Sequence, residues 1–193
     1  MAVCAGIKKI VYADPSVVTA ALTAATAKTV IQAAISAGNT VDNVHGETWT
    51  LDEAESAPTG YKNQLNGKNY RYDRPTEGDI TPSFTIGQYD YALKKAFMGG
   101  DVIEGSDSKP VGWSRPDVKE TINKALFCLT DDGVWFIFPK CYIDAHEANT
   151  DKAVAISVKA YVLQPDVTGV ASEYDLDESA VGALTTSGTG TGA

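Results

Sequence analysis

The chain has 193 residues, of which 44% are hydrophobic and 21% charged, and this composition suits one medium-sized domain with a buried core. Its formal net charge of −9 argues against a surface that holds nucleic acid through clustered lysines and arginines. No stretch approaches the ~20 apolar residues of a membrane span, and Lys8 and Lys9 follow too few apolar residues for a secretory signal. We therefore expect a protein without a membrane segment that folds in the cytosol.

The first forty residues predict a short strand followed by an alanine-rich helical segment. Residues 6–12 form the strand candidate, and Asp14-Pro15 supplies a helix N-cap and a first helical residue. The large apolar side chains that follow do not share one helical face. We therefore expect a break near Lys28-Thr29, after which the chain forms a helix or a strand. Residues 15–38 are interpreted as a helical insertion.

Residues 60–74, GYKNQLNGKNYRYDR, predict a polar β-hairpin after a strand in GETWTLD. Asn66 and Gly67 are typical of a two-residue type I′ turn, in which both central residues need positive φ. Alternation from that turn places Tyr61, Leu65, Tyr70 and Tyr72 on one face, and Lys62, Gln64, Asn69 and Arg71 on the other. An isolated hairpin is marginal in water, so we expect other parts of an assembly to stabilise this one.

Residues 79–86, DITPSFTI, alternate as a half-buried strand, and Pro82 favours a sheet edge or a bulge. The next stretch, QYDYALKKAFMGG, switches to helical spacing and ends at Gly99-Gly100. We expect the strand and the helix to share one core cluster and to leave Lys94 and Lys95 on the exposed side of the helix. That cluster is formed by Phe84, Ile86, Tyr89, Leu93 and Phe97.

The remaining chain predicts a long loop over 101–116 and then more strands. Residues 117–130 fit a helix or a strand, and the strand over about 121–130 is favoured because a hairpin around Asp132-Gly133 needs a partner. The run VWFIF is apolar on both faces, which indicates burial inside a sandwich or against another subunit. A closing strand with Val154, Ile156, Val158, Ala160 and Val162 facing inward ends at Pro165. Residues 166–193 are predicted to be an acidic, then Gly/Thr-rich, flexible tail.

Few residues suggest chemistry. His45 and His146 lack metal-ligand spacing and are interpreted as polar surface residues. The acidic group from Glu47 to Glu55 is read as a solvated or inter-subunit face rather than a Ca²⁺ site. The three cysteines are an odd number without a close pair, so we expect buried free thiols at Cys4, Cys128 and Cys141. No catalytic, cofactor-binding or metal-binding residue is predicted.

The linear order of these parts resembles the major tail, or tail tube, proteins of tailed bacteriophages, which share their core with the tube proteins of contractile injection systems. The similar features are the strand that carries Trp49, the long polar hairpin, the SFTIGQYD entry from strand to helix with its Gly-Gly stop, and the late DG…W…FPK hairpin. The resemblance covers about residues 46–165.

This resemblance implies a mainly β fold, a β-sandwich or barrel with one flanking helix, over residues 1–165. Such subunits assemble as hexameric rings that stack into a hollow tube. Hairpins from six subunits join edge to edge around the lumen, so no hairpin edge remains unpaired. The resemblance therefore assigns Lys62, Gln64, Asn69 and Arg71 to the water-filled channel, and the tyrosine-bearing face to the sandwich behind it.

The function implied is that of a structural virion protein, not an enzyme, without a cofactor. Its expected partners are further copies of itself, a tape-measure protein inside the tube, tail terminator and baseplate or tip proteins, a sheath protein in some tails, and viral DNA in transient passage. The subunit is assembled in the cytoplasm of the bacterial host and resides in the virion tail. The alternative is a soluble β-sandwich module that binds a carbohydrate or a host surface through exposed aromatic residues such as Trp113 and Tyr72.

Overall fold

The structure is a computed structural model that describes residues 6–56, 58–73, 78–87, 89–150 and 152–185. Within these ranges the chain is mainly β. The strands are β1 (Lys9–Ala13), β2 (Thr40–Val41), β3 (Thr50–Glu53), β4 (Gly60–Lys62), β5 (Asn69–Tyr72), β6 (Ile80–Ile86), β7 (Asp101–Glu104), β8 (Pro110–Ser114), β9 (Ile122–Leu129), β10 (Val134–Thr150), β11 (Ala153–Val162) and β12 (Tyr174–Asp177). The helices are α1 (Ala24–Ser36), α2 (Tyr91–Met98) and α3 (Glu178–Val181).

One antiparallel sheet of eight strands, in the order β2-β1-β9-β10-β11-β6-β3 with β12 paired to β10, forms the body. The sheet curls until its two ends meet. In the segment after β2, the N–H of His45 donates to the carbonyl of Thr85 at 2.8 Å. The N–H of Gly87 donates to the carbonyl of Asn43 at 3.1 Å. Because Thr85 and Gly87 lie at the end of β6, these bonds close the sheet around one interior.

Alternation along the strands divides the apolar side chains between an inner core and an outer core. On β1, for example, Ile10 and Tyr12 face the inner core, whereas Val11 and Ala13 face the outer core. The inner core contains Ile10, Tyr12, Val41, Phe84, Ile86, Leu93, Phe97, Met98, Leu126, Cys128, Phe138, Cys141, Ile143, Ala145, Ile156, Val158 and Ala160. The outer core contains Val11, Ala13, Ala27, Ile31, Ala34, Ile35, Ala125, Phe127, Leu129, Trp135, Ile137 and Val181.

The two cores explain why the run VWFIF in β10 is apolar on both faces. Trp135 and Ile137 belong to the outer core, and Phe138 belongs to the inner core. Both faces of this strand are therefore covered by the same chain, as expected for the inside of a sandwich.

The helix α1 lies over the outer core and begins later than the sequence predicts. Its N-cap is Thr23, whose Oγ1 accepts the N–H of Thr26 at 3.3 Å, while Oγ1 of Thr26 accepts the N–H of Thr23 at 2.8 Å. This reciprocal pair fixes the first turn. Asp14-Pro15 begins only a short 3₁₀ turn over Pro15–Val17.

The predicted break near Lys28-Thr29 is wrong, because α1 continues through it. The break was predicted because Val18 and Leu22 do not share a helical face with the later apolar residues. Both residues precede the helix. Once these two residues are excluded, Ile31 and Ile35 share one buried face with Ala27 and Ala34.

The strands predicted in the second half are confirmed, but the inward placement of Val154 is wrong, since it is 55% exposed, and the predicted long loop is wrong too. Residues 122–129 are strand β9 rather than a helix, and the turn to β10 contains Gly133 at φ 81°. The predicted loop over 101–116 is instead a two-stranded hairpin, β7–β8. Pro82 lies in the part of β6 that pairs with β3 but not with β11. The N–H that proline lacks therefore removes no hydrogen bond between β6 and β11.

The C-terminal segment differs from the prediction of a flexible tail. Within residues 166–185, β12 adds to the free side of β10, with Leu176 opposite Trp135. The side chain of Val181 in α3 is 3% exposed and belongs to the outer core. Gln32 in α1 also exchanges two hydrogen bonds with the backbone of Thr185, at 2.9 and 2.8 Å. The segment docks because its few apolar residues cover the outer face of β10; residues 186–193 lie outside the described part.

The predicted fold class is confirmed: the chain is mainly β, with α2 flanking the sheet and an added N-terminal helix. Among the helices that the structure describes, none has the length and apolar character needed to cross a membrane.

Candidate assembly surface

The β4–β5 hairpin has a longer loop than the predicted two-residue turn. The N–H of Asn63 donates to the carbonyl of Lys68 at 2.9 Å, and the N–H of Gly67 donates back to the carbonyl of Asn63 at 2.8 Å. Gly67 has the expected positive φ, 69°, but Asn66 does not. Asn66 instead accepts the N–H of Lys68 through its side-chain oxygen at 3.1 Å. The turn position is confirmed, and the type I′ geometry is wrong.

The longer loop changes the register of the strands. A two-residue turn at Asn66 and Gly67 would place Tyr61 opposite Tyr72, but Tyr61 pairs with Arg71, and Gly60 pairs with Tyr72. A bulge then brings Lys62 opposite Asn69. The guanidinium of Arg71 lies 4.3 Å from the centre of the Tyr61 ring, so these two side chains share a face. The predicted separation of a tyrosine face from a face containing Arg71 is therefore wrong. The lumen assignment of Lys62, Gln64, Asn69 and Arg71 stays a prediction.

The apolar side chains of this hairpin do not pack on the body of their own chain. Leu65 is 95% exposed, Tyr70 is 68% exposed and Tyr72 is 59% exposed. Neither core cluster of the described residues includes a residue of β4 or β5. The predicted packing of the tyrosine face against the sandwich is thus wrong within one chain. The hairpin presents unpartnered apolar surface on a mostly polar element.

Four of the five predicted helix contacts are confirmed. Phe84, Ile86, Leu93 and Phe97 all lie in the inner core. The Phe97 ring makes edge contacts with Tyr12 at 5.0 Å and with Phe84 at 6.1 Å between ring centres, so α2 connects β1 with β6.

The fifth predicted contact, Tyr89, is wrong because it is 55% exposed. The helix begins only at Tyr91, after the N-cap Asp90, whose carboxylate accepts the N–H of Ala92 at 2.7 Å. Tyr89 therefore precedes the helix and does not extend its apolar stripe.

Lys94, predicted to be exposed, is the buried cation of this region. Its side chain is 3% exposed, and its ammonium donates to Oε1 of Glu147 at 2.5 Å and to the Tyr89 hydroxyl at 3.0 Å. The ammonium also lies 4.6 Å from the ring centre of Tyr89 and 4.3 Å from that of Trp113. Burial works against the charged amine, but the bonds to Glu147 and Tyr89 prevail and raise the pKa of Lys94. The charge is stabilised by its partners.

The same group fixes the β7–β8 hairpin. Trp113 in β8 donates its indole N–H to the carbonyl of Gly99 at 2.8 Å, and Arg115 just after β8 donates to Oε2 of Glu147 at 3.0 Å. This hairpin is thereby tied to the end of α2 and to β10. It exposes Ile103 and Val111, which are 49% and 59% exposed.

Sequence reasoning missed the cluster in which Glu147, Trp113 and Arg115 surround the buried ammonium of Lys94. Two adjacent lysines on a short helix indicate a solvated face, and the partners lie far away in the chain. The one available signal was the position of Lys94 on the helix. Lys94 follows Leu93 directly and lies on the side of α2 that is buried.

The remaining predicted chemistry gives no second site. Among the described residues, no group of three or more His, Cys, Asp or Glu side chains could hold a metal ion. Cys128 and Cys141 are buried free thiols, as predicted, and burial raises the pKa of both. Cys4 lies outside the described residues.

No protein-family model matches this chain, and no curated protein matches it significantly either.

Proposed function

We propose that this protein is a self-assembling structural subunit that forms the tail tube of a tailed bacteriophage. Six copies make a ring, and rings stack into a hollow tube. The tube surrounds a tape-measure protein during assembly, ends at terminator and baseplate or tip proteins, with or without a surrounding sheath, and later conducts viral DNA. Support comes from the resemblance in linear order over residues 46–165, together with the mainly β fold.

The observation that carries the proposal is the exposed β4–β5 hairpin. Leu65, Tyr70 and Tyr72 are each more than half exposed, although large apolar side chains gain free energy from burial. The hairpin is a separate two-stranded sheet, so its outer strand edges are unpaired within the described residues. An element with unpaired edges and exposed aromatic side chains is suited to contact with another copy of the chain.

The second hairpin supports the same proposal. The β7–β8 hairpin presents Ile103 and Val111 to solvent, and the cluster around the buried Lys94 ties the hairpin to α2 and β10. A fixed element with exposed apolar side chains needs little ordering when it meets a neighbour, and this lowers the entropic cost of association.

Sedimentation velocity of the purified full chain over a range of concentrations tests the proposal. A tube subunit is expected to form species several times heavier than its 20.4 kDa monomer as the concentration rises. A solution that contains only the monomer at every concentration would favour a binding module and contradict the proposal.

A further inference from the structure

Three carboxylates lie together where the β4–β5 hairpin leaves the sheet. Glu53 ends β3, Asp175 lies in β12, and Glu173 directly precedes β12. Partial burial, followed by the charges of Asp175 and Glu53, raises the pKa of Glu173, so the three groups are near enough to repel one another. Within the described ranges, no lysine or arginine forms an ion pair with any of them. We call this group the acidic patch.

The hairpin beyond this patch carries two lysines without a partner. Lys62 ends β4 and Lys68 directly precedes β5, and both are exposed. Neither forms an ion pair with a described residue, whereas Arg71 is held by Asp73 at 3.5 Å. Leu65, which lies between the two lysines in the chain, is 95% exposed. Residues 62–68, the hairpin tip, therefore present positive charge beside unpartnered apolar surface.

The acidic patch and the hairpin tip are kept apart within one chain. The N–H of Ala54 donates to the carbonyl of Asp79 at 3.1 Å, so the segment that carries the hairpin leaves and rejoins the sheet next to the patch. An extended strand rises ~3.3 Å per residue, which places Leu65 up to roughly 15 Å beyond Gly60. A cavity of about 460 Å³, lined by residues 53–56 and Gly78, adjoins the patch. It offers a recess for an apolar side chain from another molecule.

We propose that the hairpin tip of one chain binds the acidic patch of a second copy. The lysines of the tip balance the carboxylates of the patch, and Leu65 is buried against the adjoining cavity. Complementary charge selects which surfaces meet, and the apolar side chain adds free energy of burial. Each copy offers one tip and one patch, so the contact is head-to-tail and can close into a ring. This inference rests on the proposed function and names the two surfaces that join neighbouring subunits.

Charge reversal on each surface, followed by sedimentation velocity of the full chain, tests the contact. The tip variant is Lys62→Glu with Lys68→Glu, and the patch variant is Glu53→Lys with Asp175→Lys. Each alone should raise the concentration needed for association about tenfold, because like charges then face each other. An equimolar mixture of the two variants should associate near the wild-type concentration. In the mixture, each tip can meet a patch of opposite charge on the other variant.

Two controls separate this contact from net charge and from folding. Lys28→Glu with Lys152→Glu makes the same change in net charge as the tip variant at exposed positions outside the hairpin, and it should leave association unchanged. The second control needs no variant. Raising sodium chloride from about 0.1 M to about 1 M should weaken association of the wild-type chain, because salt screens charges near the surface.

The inference is overturned if the tip variant associates like the wild-type chain, or if the mixture associates no better than the separate variants. Wild-type association that does not weaken in salt would also overturn it. In each of these cases the wild-type chain still associates, so the proposed tube function stands. A wild-type chain that stays monomeric would instead contradict the proposed function, and this contact with it.

Discussion

Lys94 and Glu147 form an ion pair of 2.5 Å although 53 residues separate them in the chain. The Lys94 side chain is 3% exposed and that of Glu147 is 37% exposed, so the lysine has left water almost entirely. The pair joins α2 to β10 and, through Arg115 and Trp113, to the β7–β8 hairpin.

Replacing Lys94 with alanine should lower the free energy of unfolding by about 2–3 kcal/mol. Removing one member of a fully buried ion pair costs ~3–5 kcal/mol, and Glu147 keeps some contact with water and with Arg115. Denaturant unfolding of the monomer measures the change.

The adjacent lysine is the control for this substitution. The Lys95 side chain is 55% exposed and lies 3.5 Å from Asp101, which is 85% exposed. Lys95→Ala should therefore cost less than about 0.5 kcal/mol. Equal costs at the two positions would mean that Lys94 is not buried as described.

Acid should weaken this pair. The hydrogen bond from Lys94, followed by the charges of Lys94 and Arg115, holds the pKa of Glu147 below its ordinary value of 4.5. Because the folded pKa is lower than the unfolded one, the stability that Glu147 contributes is present above the unfolded pKa and is lost as the pH falls through the folded pKa. Between about pH 5 and pH 3, the wild-type protein should lose stability more steeply than Glu147→Gln.

Asp107→Asn, in an exposed loop, is the control for the acid experiment. The free energy of unfolding of this variant, measured at each pH, should depend on pH as that of the wild-type protein does. If Glu147→Gln also followed the wild-type dependence, the ion pair would not contribute as described.

The docked C-terminal segment should contribute to the stability of the monomer. Val181 is 3% exposed, so Val181→Ala should lower the free energy of unfolding by about 1–2 kcal/mol. Val154→Ala makes the same chemical change at a side chain that is 55% exposed, and it should cost less than about 0.5 kcal/mol. A Val181 variant as stable as the Val154 variant would show that α3 does not dock.

Exposed apolar residues of the β4–β5 hairpin should matter for assembly and not for folding. Leu65→Ser and Tyr70→Ser should each change monomer stability by less than about 0.5 kcal/mol. In sedimentation velocity, both should shift the distribution towards the monomer. Val118→Ser is the control, since Val118 is 79% exposed outside this hairpin and should leave assembly unchanged. Full assembly by both hairpin variants would exclude the hairpin from the interface.

The sequence pattern correctly predicted those elements that are determined by neighbouring residues in the chain. The alternation in β6 and the turn at Gly133 determined two parts of the sheet correctly, because period two and positive φ are local properties. The predicted register of β4–β5 was wrong because the side-chain oxygens of Asn63 and Asn66 accept the N–H groups of Leu65 and Lys68. These hydrogen bonds stabilise a longer loop in competition with the two-residue turn.

The burial of Lys94 and the docking of β12 could not be read from local pattern. Lys94 is stabilised by Glu147 and Trp113, which the closed sheet brings to it from other elements. Residues 174–177 alternate too briefly to predict a strand, and their place is set by the free side of β10. Such placements arise from tertiary structure, which outweighs local propensity.

Negative-stain electron microscopy of the purified protein, at a concentration where sedimentation shows association, is the most direct test of the proposed tube function. The proposal predicts rings with sixfold symmetry and a central channel, or hollow tubes made by stacking such rings. Leu65→Ser should yield fewer of them than Val118→Ser. Particles no larger than the monomer, or aggregates without symmetry or a channel, would contradict it.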